Sequence, residues 1–349
     1  MQRRPLSALA LAGAFIVLMP LARAAANAPL PQDGVLDRRE ARAWLLRVHD
    51  AASHRNFQGT FVVTSGGSVS SARIVHYCDE RNQYERIDTM DGQLRRVFRH
   101  NDVVHTLWPQ SHVAMVEQRD QMSSFPALLQ GGDVGIADVY EMHALGSERV
   151  AGHEANVLQL KSTDAYRYGY RLWAEKSTGL LLRSEVLGPH EEVLESSAFS
   201  NVALNVKTQP ESVLQPMAKL EGYRVVRQTL MPTRLETEGW SLRSPIDGFK
   251  LVSSVKRPLD GAMEPQPEGS RGSPSPQVLQ SIFSDGLTYV SVFIEAYDPH
   301  RHRQPIQASS GATHTMMRRQ GESWWITVVG DVPALTLQSF ADALERKTK

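Results

Sequence analysis

The chain has 349 residues, more than one hydrophobic core usually supports, so two domains are expected. Charged residues make up 22% and hydrophobic residues 41%, the composition of a folded soluble protein. With 38 basic against 38 acidic residues there is no basic excess of the kind a nucleic-acid binder needs to displace counterions, so no nucleic-acid partner is expected.

Residues 1–24 read as a secretory signal peptide. Arg3 and Arg4 precede an apolar run from Leu6 to Leu21, and Ala22-Arg23-Ala24 offers a small-residue cleavage site. The apolar run is shorter than the roughly 20 residues of a membrane span. Cleavage after Ala24 removes three of the 38 basic residues and none of the 38 acidic, leaving a formal charge of −3. Cys78 is the only cysteine, so no intrachain disulfide forms and stability must come from core burial. Its place at the end of the strand-like Arg73–Cys78 suits a half-buried structural residue better than a reactive thiol.

Asp37 is placed to cap a helix reaching about Ser53, with Ala41, Trp44, Leu45, Val48 and Ala52 on one stripe. From Asn56 the pattern changes to short strands: Phe57 to Val63, Val69 to Tyr77, Gln83 to Met90, Leu94 to Arg99, Val103 to Trp108 and His112 to Glu117. Ser65-Gly66-Gly67, Asp91-Gly92 and Asn101-Asp102 supply the reversals. Between Gln118 and Val139 the alternation breaks, and Met122, Phe125, Leu128 and Leu129 before Gly131-Gly132 describe an apolar helix or flap. Strands resume at Tyr140 to Leu145 and Glu154 to Lys161. They lead into a three-strand meander over Ala165 to Phe199, with turns at Lys176–Gly179 and Gly188-Pro189-His190.

Residues 208–222 carry two prolines and no strand period, which predicts a linker between a domain at 30–207 and another at 223–349. In the second domain, strands are expected at Trp240–Arg243, Phe249–Lys256, Leu287–Glu295, Thr313–Arg319 and Trp324–Val329, closed by a helix from Thr336 to Arg346. Five prolines and three glycines in the Pro258–Pro276 segment predict a surface loop. The fold class is therefore α+β in two domains.

Catalytic patterns are missing. His153-Glu154 and His190-Glu191 begin like zinc-protease helices, but Val157 and Leu194 stand where a second histidine is needed. There is no nucleophile elbow, no P-loop and no glycine-rich dinucleotide cradle, so neither an enzyme nor a cofactor nor a metal site is expected. Two patterns do suggest binding. A curved sheet under a helix and flap leaves room for acyl chains, each buried methylene contributing about 0.8 kcal/mol. Candidate lining residues are Phe61, Leu107, Trp108, Met115, Met122, Phe125, Leu128, Leu129, Tyr140, Trp173 and Leu181; a filled core is the competing reading. Arg86, Arg95, Arg96 and Arg99 are candidates for an anion or acidic-peptide patch, against the simpler reading of a solvated strand face.

Several stretches carry a family resemblance: Phe57-Gln58-Gly59-Thr60-Phe61, Asp91-Gly92 with Arg95 to Arg99, and Tyr166–Trp173 followed by Thr178–Ser184. In the second half they are Ser284–Leu287, Ser291–Glu295, Gly311-Ala312 and Thr327–Pro333. Together they resemble the MucB/RseB family of periplasmic regulators of the envelope-stress sigma factor. The resemblance implies a first domain similar to LolA and LolB, an unclosed antiparallel β-barrel with helices, and a smaller second domain. It also implies a periplasmic location, and binding to the periplasmic part of a MucA/RseA-like membrane anti-sigma factor that shields it from site-one proteolysis. Release would follow binding of lipopolysaccharide or lipoprotein acyl chains. Self-association into a homo-oligomer stays open, and a LolA-type lipid or lipoprotein carrier is the alternative function.

Overall fold

A computed structural model describes residues 34–79, 81–118, 135–228, 230–258 and 277–347. The first elements are β1 (Gly34–Val35) and helix α1 (Arg38–His54). Asp37 caps the helix as its sequence foretells. The carboxylate accepts from the Arg39 and Glu40 amides, and the Glu40 side chain accepts from the Asp37 amide. Ala41, Trp44, Leu45, Val48, Ala51 and Ala52 are the buried stripe.

A meander follows: β2 (Phe57–Ser65), β3 (Ser68–Cys78), β4 (Gln83–Thr89), β5 (Arg96–His100), β6 (Val103–Trp108) and β7 (Val113–Gln118). After the short helix α2 (Ile136–Val139) a second meander comprises β8 (Tyr140–Val150), β9 (His153–Ser162), β10 (Gly169–Glu175), β11 (Leu181–Leu187) and β12 (Val193–Leu204). Strand β12 returns to pair with β2 along most of its length, which joins the two meanders into one sheet. Helix α3 (Glu211–Ala218) and β13 (Arg224–Arg227) complete this half of the molecule. The order is β1-β8-β9-β10-β11-β12-β2-β3-β4-β5-β6-β7-β13, antiparallel except where β13 runs parallel to β7. The two end strands do not pair with each other, so the barrel is unclosed, as expected.

The sheet also curls. Residues of β8 and β12 come within 8 Å, Cα to Cα, although β9, β10 and β11 lie between them. Four flat strand spacings would hold them about 19 Å apart. The curl gathers Val150, Val157, Trp173, Phe199, Phe57, Phe61 and Ile74 into one cluster, which defines the inner face. The outer face at the β3–β7 end is covered by α3, with Val213 packed among Tyr77, Tyr84, Phe98, Leu107 and Ala114.

That packing departs from the expected linker at 208–222. Its prolines do not prevent a helix: Pro210 stands just before the first turn and Pro216 lies within α3, while Val213 is fully buried. Apolar residues at 213, 214 and 217 follow the helical spacing and bind the segment to the sheet. The chain passes from the first sheet to the second between Arg227 and Met231.

The second sheet contains β14 (Met231–Pro232), β16 (Lys250–Pro258), β17 (Gln277–Ser284), β18 (Tyr289–Ala296), β19 (Ile306–Ser310), β20 (Thr313–Gln320) and β21 (Trp324–Gly330), in the order β14-β16-β17-β18-β21-β20-β19. Helix α4 (Ala334–Ala343) packs Leu337, Phe340 and Ala341 against Phe283, Val290 and Ile326. It is shorter than expected because residues 344–346 form β22 (Leu344–Arg346), paired with β15 (Trp240–Leu242). Strands β17 and β19 were not foreseen. The first abuts the Pro-rich segment, whose residues 259–276 lie outside the described ones, and the second is a short exposed edge. No described helix is long and apolar enough to cross a membrane.

Candidate functional site

Two buried groups of charged side chains stand out, and neither is a surface patch. The first lies where the two sheets meet. Between β9 and β10 the chain does not turn tightly. Asp164 accepts from the Tyr166 amide at 2.8 Å and from Arg167 Nε at 3.1 Å, and this local turn sends Arg167 toward the second sheet. The Arg167 side chain is wholly buried. Its Nη1 meets Asp285 Oδ2 at 3.3 Å, its Nη2 donates to the Asp247 carbonyl at 2.5 Å, and its guanidinium lies over the Phe249 ring, 5.0 Å from the centroid.

Asp285 sits in the turn between β17 and β18. Oδ1 accepts from the Leu287 and Thr288 amides at 2.9 Å each, and the Tyr140 hydroxyl donates to Oδ2 at 3.2 Å. Burial pushes its pKa above the ordinary value, while the two amides and Arg167 act in the opposite direction. The Tyr140 hydroxyl is raised well above its ordinary value, first by burial and then by the Asp285 charge, so it stays a donor. Gly248 closes over the pair with φ +78°; a Cβ there would stand 2.5 Å from Arg167 Nη1 and 2.9 Å from Val139 Cγ1.

Around this centre the two halves are joined by lesser contacts. Tyr168 Oη and His314 Nε2 are 3.1 Å apart, and Thr336 Oγ1 donates to the Tyr166 carbonyl at 2.6 Å. Ser65, at the tip of the β2–β3 hairpin, touches Gly311 at the tip of the β19–β20 hairpin. Beside the junction opens a cleft of about 460 Å³ lined by Leu160, Lys161, Tyr168, Leu187, Pro189 and Pro333 among others. Lys161 and Glu191 pair at 3.0 Å on its wall.

The second group lies on the inner face. The register sets His76 opposite Glu85, Glu85 opposite Arg99, Arg99 opposite Val104, and Val104 opposite Glu117. His76, Glu85, Arg99 and Glu117 are 2%, 4%, 3% and 7% exposed, so four ionisable residues form a buried row across β3 to β7. Burial pushes the Glu85 carboxyl up to about 7, with Arg99 pulling it down by less. Burial likewise lowers the His76 pKa, so its imidazole is neutral at neutral pH.

The four expected arginines therefore do not form one patch. Arg99 is buried inside, whereas Arg86 and Arg96 lie on the outer face and flank Asp88 at 2.7 and 3.6 Å. Arg95 is exposed beside β5. The apolar candidates are also divided. Phe61, Trp108, Met115 and Trp173 are on the inner face, with Trp173 held by Glu148 at 2.8 Å and by the Arg183 guanidinium 4.5 Å from its ring. Leu107 is under α3, Leu181 pairs with Ala174 on the face opposite Trp173, and Tyr140 belongs to the junction. Met122, Phe125, Leu128 and Leu129 lie outside the described residues. Among the described residues no cluster of His, Cys, Asp or Glu could hold a metal ion.

Sequence reasoning missed Arg167, Asp285 and the inner row. Asp285 carried a readable signal, since Ser284-Asp285-Gly286 is a turn in which an Asp side chain binds the following amides. Nothing in the sequence paired it with Arg167.

Residues 40–217 match the MucB/RseB N-terminal domain and residues 234–345 the MucB/RseB C-terminal domain. The sigma factor AlgU regulatory protein MucB of Pseudomonas aeruginosa is 29% identical over 86% of this chain and 90% of its own length. The sigma-E factor regulatory protein RseB of Salmonella typhimurium is 25% identical over 87% of this chain and 90% of its own. A solved Pseudomonas aeruginosa MucA/MucB complex contains a chain that is 25% identical, with a TM-score of 0.65 over 88% of this chain and 99% of that one. With both domains matched in order over most of its length, the chain belongs to the MucB/RseB family.

Proposed function

We propose that this protein is a non-enzymatic regulator that works in the periplasm. There it holds the periplasmic part of a membrane-anchored anti-sigma factor and shields it from site-one proteolysis until a lipid, either lipopolysaccharide or the acyl chains of a lipoprotein, enters the first domain. The observation that carries this reading is the likeness, over nearly the whole chain, to MucB solved together with MucA. The relatives' names as sigma-factor regulatory proteins agree with it.

The junction supplies the moving part. Two sheets linked by a short crossing between Arg227 and Met231 are held mainly by side-chain contacts, so lipid entering the curled first sheet shifts the balance between a closed and an opened junction. The protein without its first 24 residues, fixed to a column, should retain the cognate anti-sigma segment and slow its cleavage by the site-one protease. No retention at micromolar concentration would overturn the proposal. In cells, depletion should change sigma-factor output without stranding lipoproteins at the inner membrane, which separates a regulator from a lipoprotein carrier.

A further inference from the structure

The inner row contains an arginine whose surroundings are incomplete. Arg99 is 3% exposed, and its Nε donates to the Asn101 carbonyl at 2.7 Å. Its Nη1 is buried with no hydrogen-bond partner. Glu85 faces it directly across the β4–β5 ladder, yet no carboxylate oxygen of a described residue lies within 4.0 Å of the guanidinium. A buried guanidinium with a free donor is held at an energetic disadvantage unless something else completes it.

A cleft lies close to it. A cleft of about 350 Å³ is lined by His54, Cys78, Arg81, Gln83, Asn101 and Asp102 among others. Cys78, Gln83 and Asn101 stand two residues along their strands or turn from His76, Glu85 and Arg99, on the same face. The cleft thus opens one pair beyond the row. Its acidic members already have partners: Asp79 binds Asn82 and the Arg81 amide, and Asp102 accepts from Gln118.

We propose that Arg99, beside this cleft, is the acceptor for an anionic headgroup, a carboxylate or a phosphate, with Glu85 as its competitor. When Glu85 is protonated and His76 neutral, the His76–Glu85–Arg99 segment carries one uncompensated positive charge, and an incoming anion completes it. When Glu85 ionises, its charge opposes the anion. Glu117 lies farther along the row and engages contacts of its own, while His54, Asp50 and Arg55 at the end of α1 and Asp79 after β3 are the other ionisable groups nearby. Binding is therefore linked to proton uptake and weakens as pH rises past neutrality. The site deepens the lipid-triggered reading, on which only its consequence for release rests.

Calorimetric titration of the chain without its signal peptide with decanoate, decyl phosphate, decanol and inorganic phosphate tests the site directly. Decanoate should bind several-fold, up to about tenfold, more tightly at pH 6 than at pH 8, and decanol should show no such dependence. Arg99→Met should weaken the anions at least tenfold and leave decanol unchanged, while Glu85→Gln should keep anion binding and remove its pH dependence. Inorganic phosphate binding as tightly as decyl phosphate would assign the site to the free anion. Preference for an alkyl anion would assign it to a lipid headgroup. Anion binding that is equal to decanol binding, or that survives Arg99→Met with its pH dependence intact, overturns the proposal. Retention of the anti-sigma segment is measured separately: ligand binding without release would sink the trigger and leave the site standing.

Discussion

The junction around Arg167 and Asp285 and the inner row around Glu85 and Arg99 are both buried and both charged, but they are finished differently. At the junction Asp285 has four donors, two amides, a phenol and a guanidinium, and the Arg167 charge is shared among two carboxylates and a carbonyl. In the inner row the two opposing charges do not meet, one carboxyl is shifted toward neutrality, and one guanidinium nitrogen has no partner. Desolvating an ion is expensive, and only good geometry with complete hydrogen bonding offsets it. A finished cluster therefore favours the closed arrangement of the two parts, which a ligand must outweigh to open it, whereas an unfinished one favours whatever completes it.

The largest expected effect breaks the finished cluster. Arg167→Met leaves Asp285 buried without its counter-charge and should destabilise the protein by about 3–5 kcal/mol. Urea unfolding measures the loss, and Asp285→Asn added to it should recover part, because the two residues are coupled. A double variant that loses the sum of the two single losses would mean that the pair does not act as a unit.

A second effect sharpens the contrast through pH. Glu85 holds its proton more tightly folded than unfolded, since its pKa rises from 4.5 to about 7. Between those two values the folded chain binds more protons, so stability falls as pH rises across that window and levels off above it. The fall attributable to this carboxyl is up to about 3 kcal/mol. Unfolding measured at pH 5 and pH 8 should show a smaller difference in Glu85→Gln than in the parent; an unchanged difference would remove Glu85 from the cause.

The smallest effect is at the rim of the junction. Tyr168→Phe deletes one hydrogen bond to His314 and should cost about 0.5–1.5 kcal/mol by the same urea measurement, well below Arg167→Met. If the rim matched the centre, the junction would be a diffuse interface rather than a core with lesser contacts around it.

Much of this architecture was legible in the chain. The Asp37 cap and its apolar stripe, and the three strands over Gly169–Leu204 with their glycine turns, rest on local rules of capping and alternation, and they stand where those rules put them. The α3 segment was obscured because its prolines outweighed an apolar spacing that matters only once a sheet is there to receive it. The candidate sites were less legible for a related reason. Alternation assigns faces within one strand, but only register across five strands shows that His76, Glu85, Arg99 and Glu117 share a buried row while Arg86 and Arg96 face the other way. Arg167 and Asp285 are 118 residues apart, and their meeting belongs to the docking of two sheets, which no local pattern encodes.

The most direct test fixes the junction closed. A Cβ on Gly311 would stand 3.1 Å from that of Ser65, shorter than the ~3.8 Å usual in a disulfide, so with a slight separation of the two hairpin tips Ser65→Cys and Gly311→Cys in a Cys78→Ser background should join them under oxidation. Release of the bound anti-sigma segment by added lipopolysaccharide is then compared before and after reduction. The oxidised protein should retain the segment in the presence of lipid and the reduced protein should let it go. Equal release from both would contradict an opening junction as the route from lipid to partner.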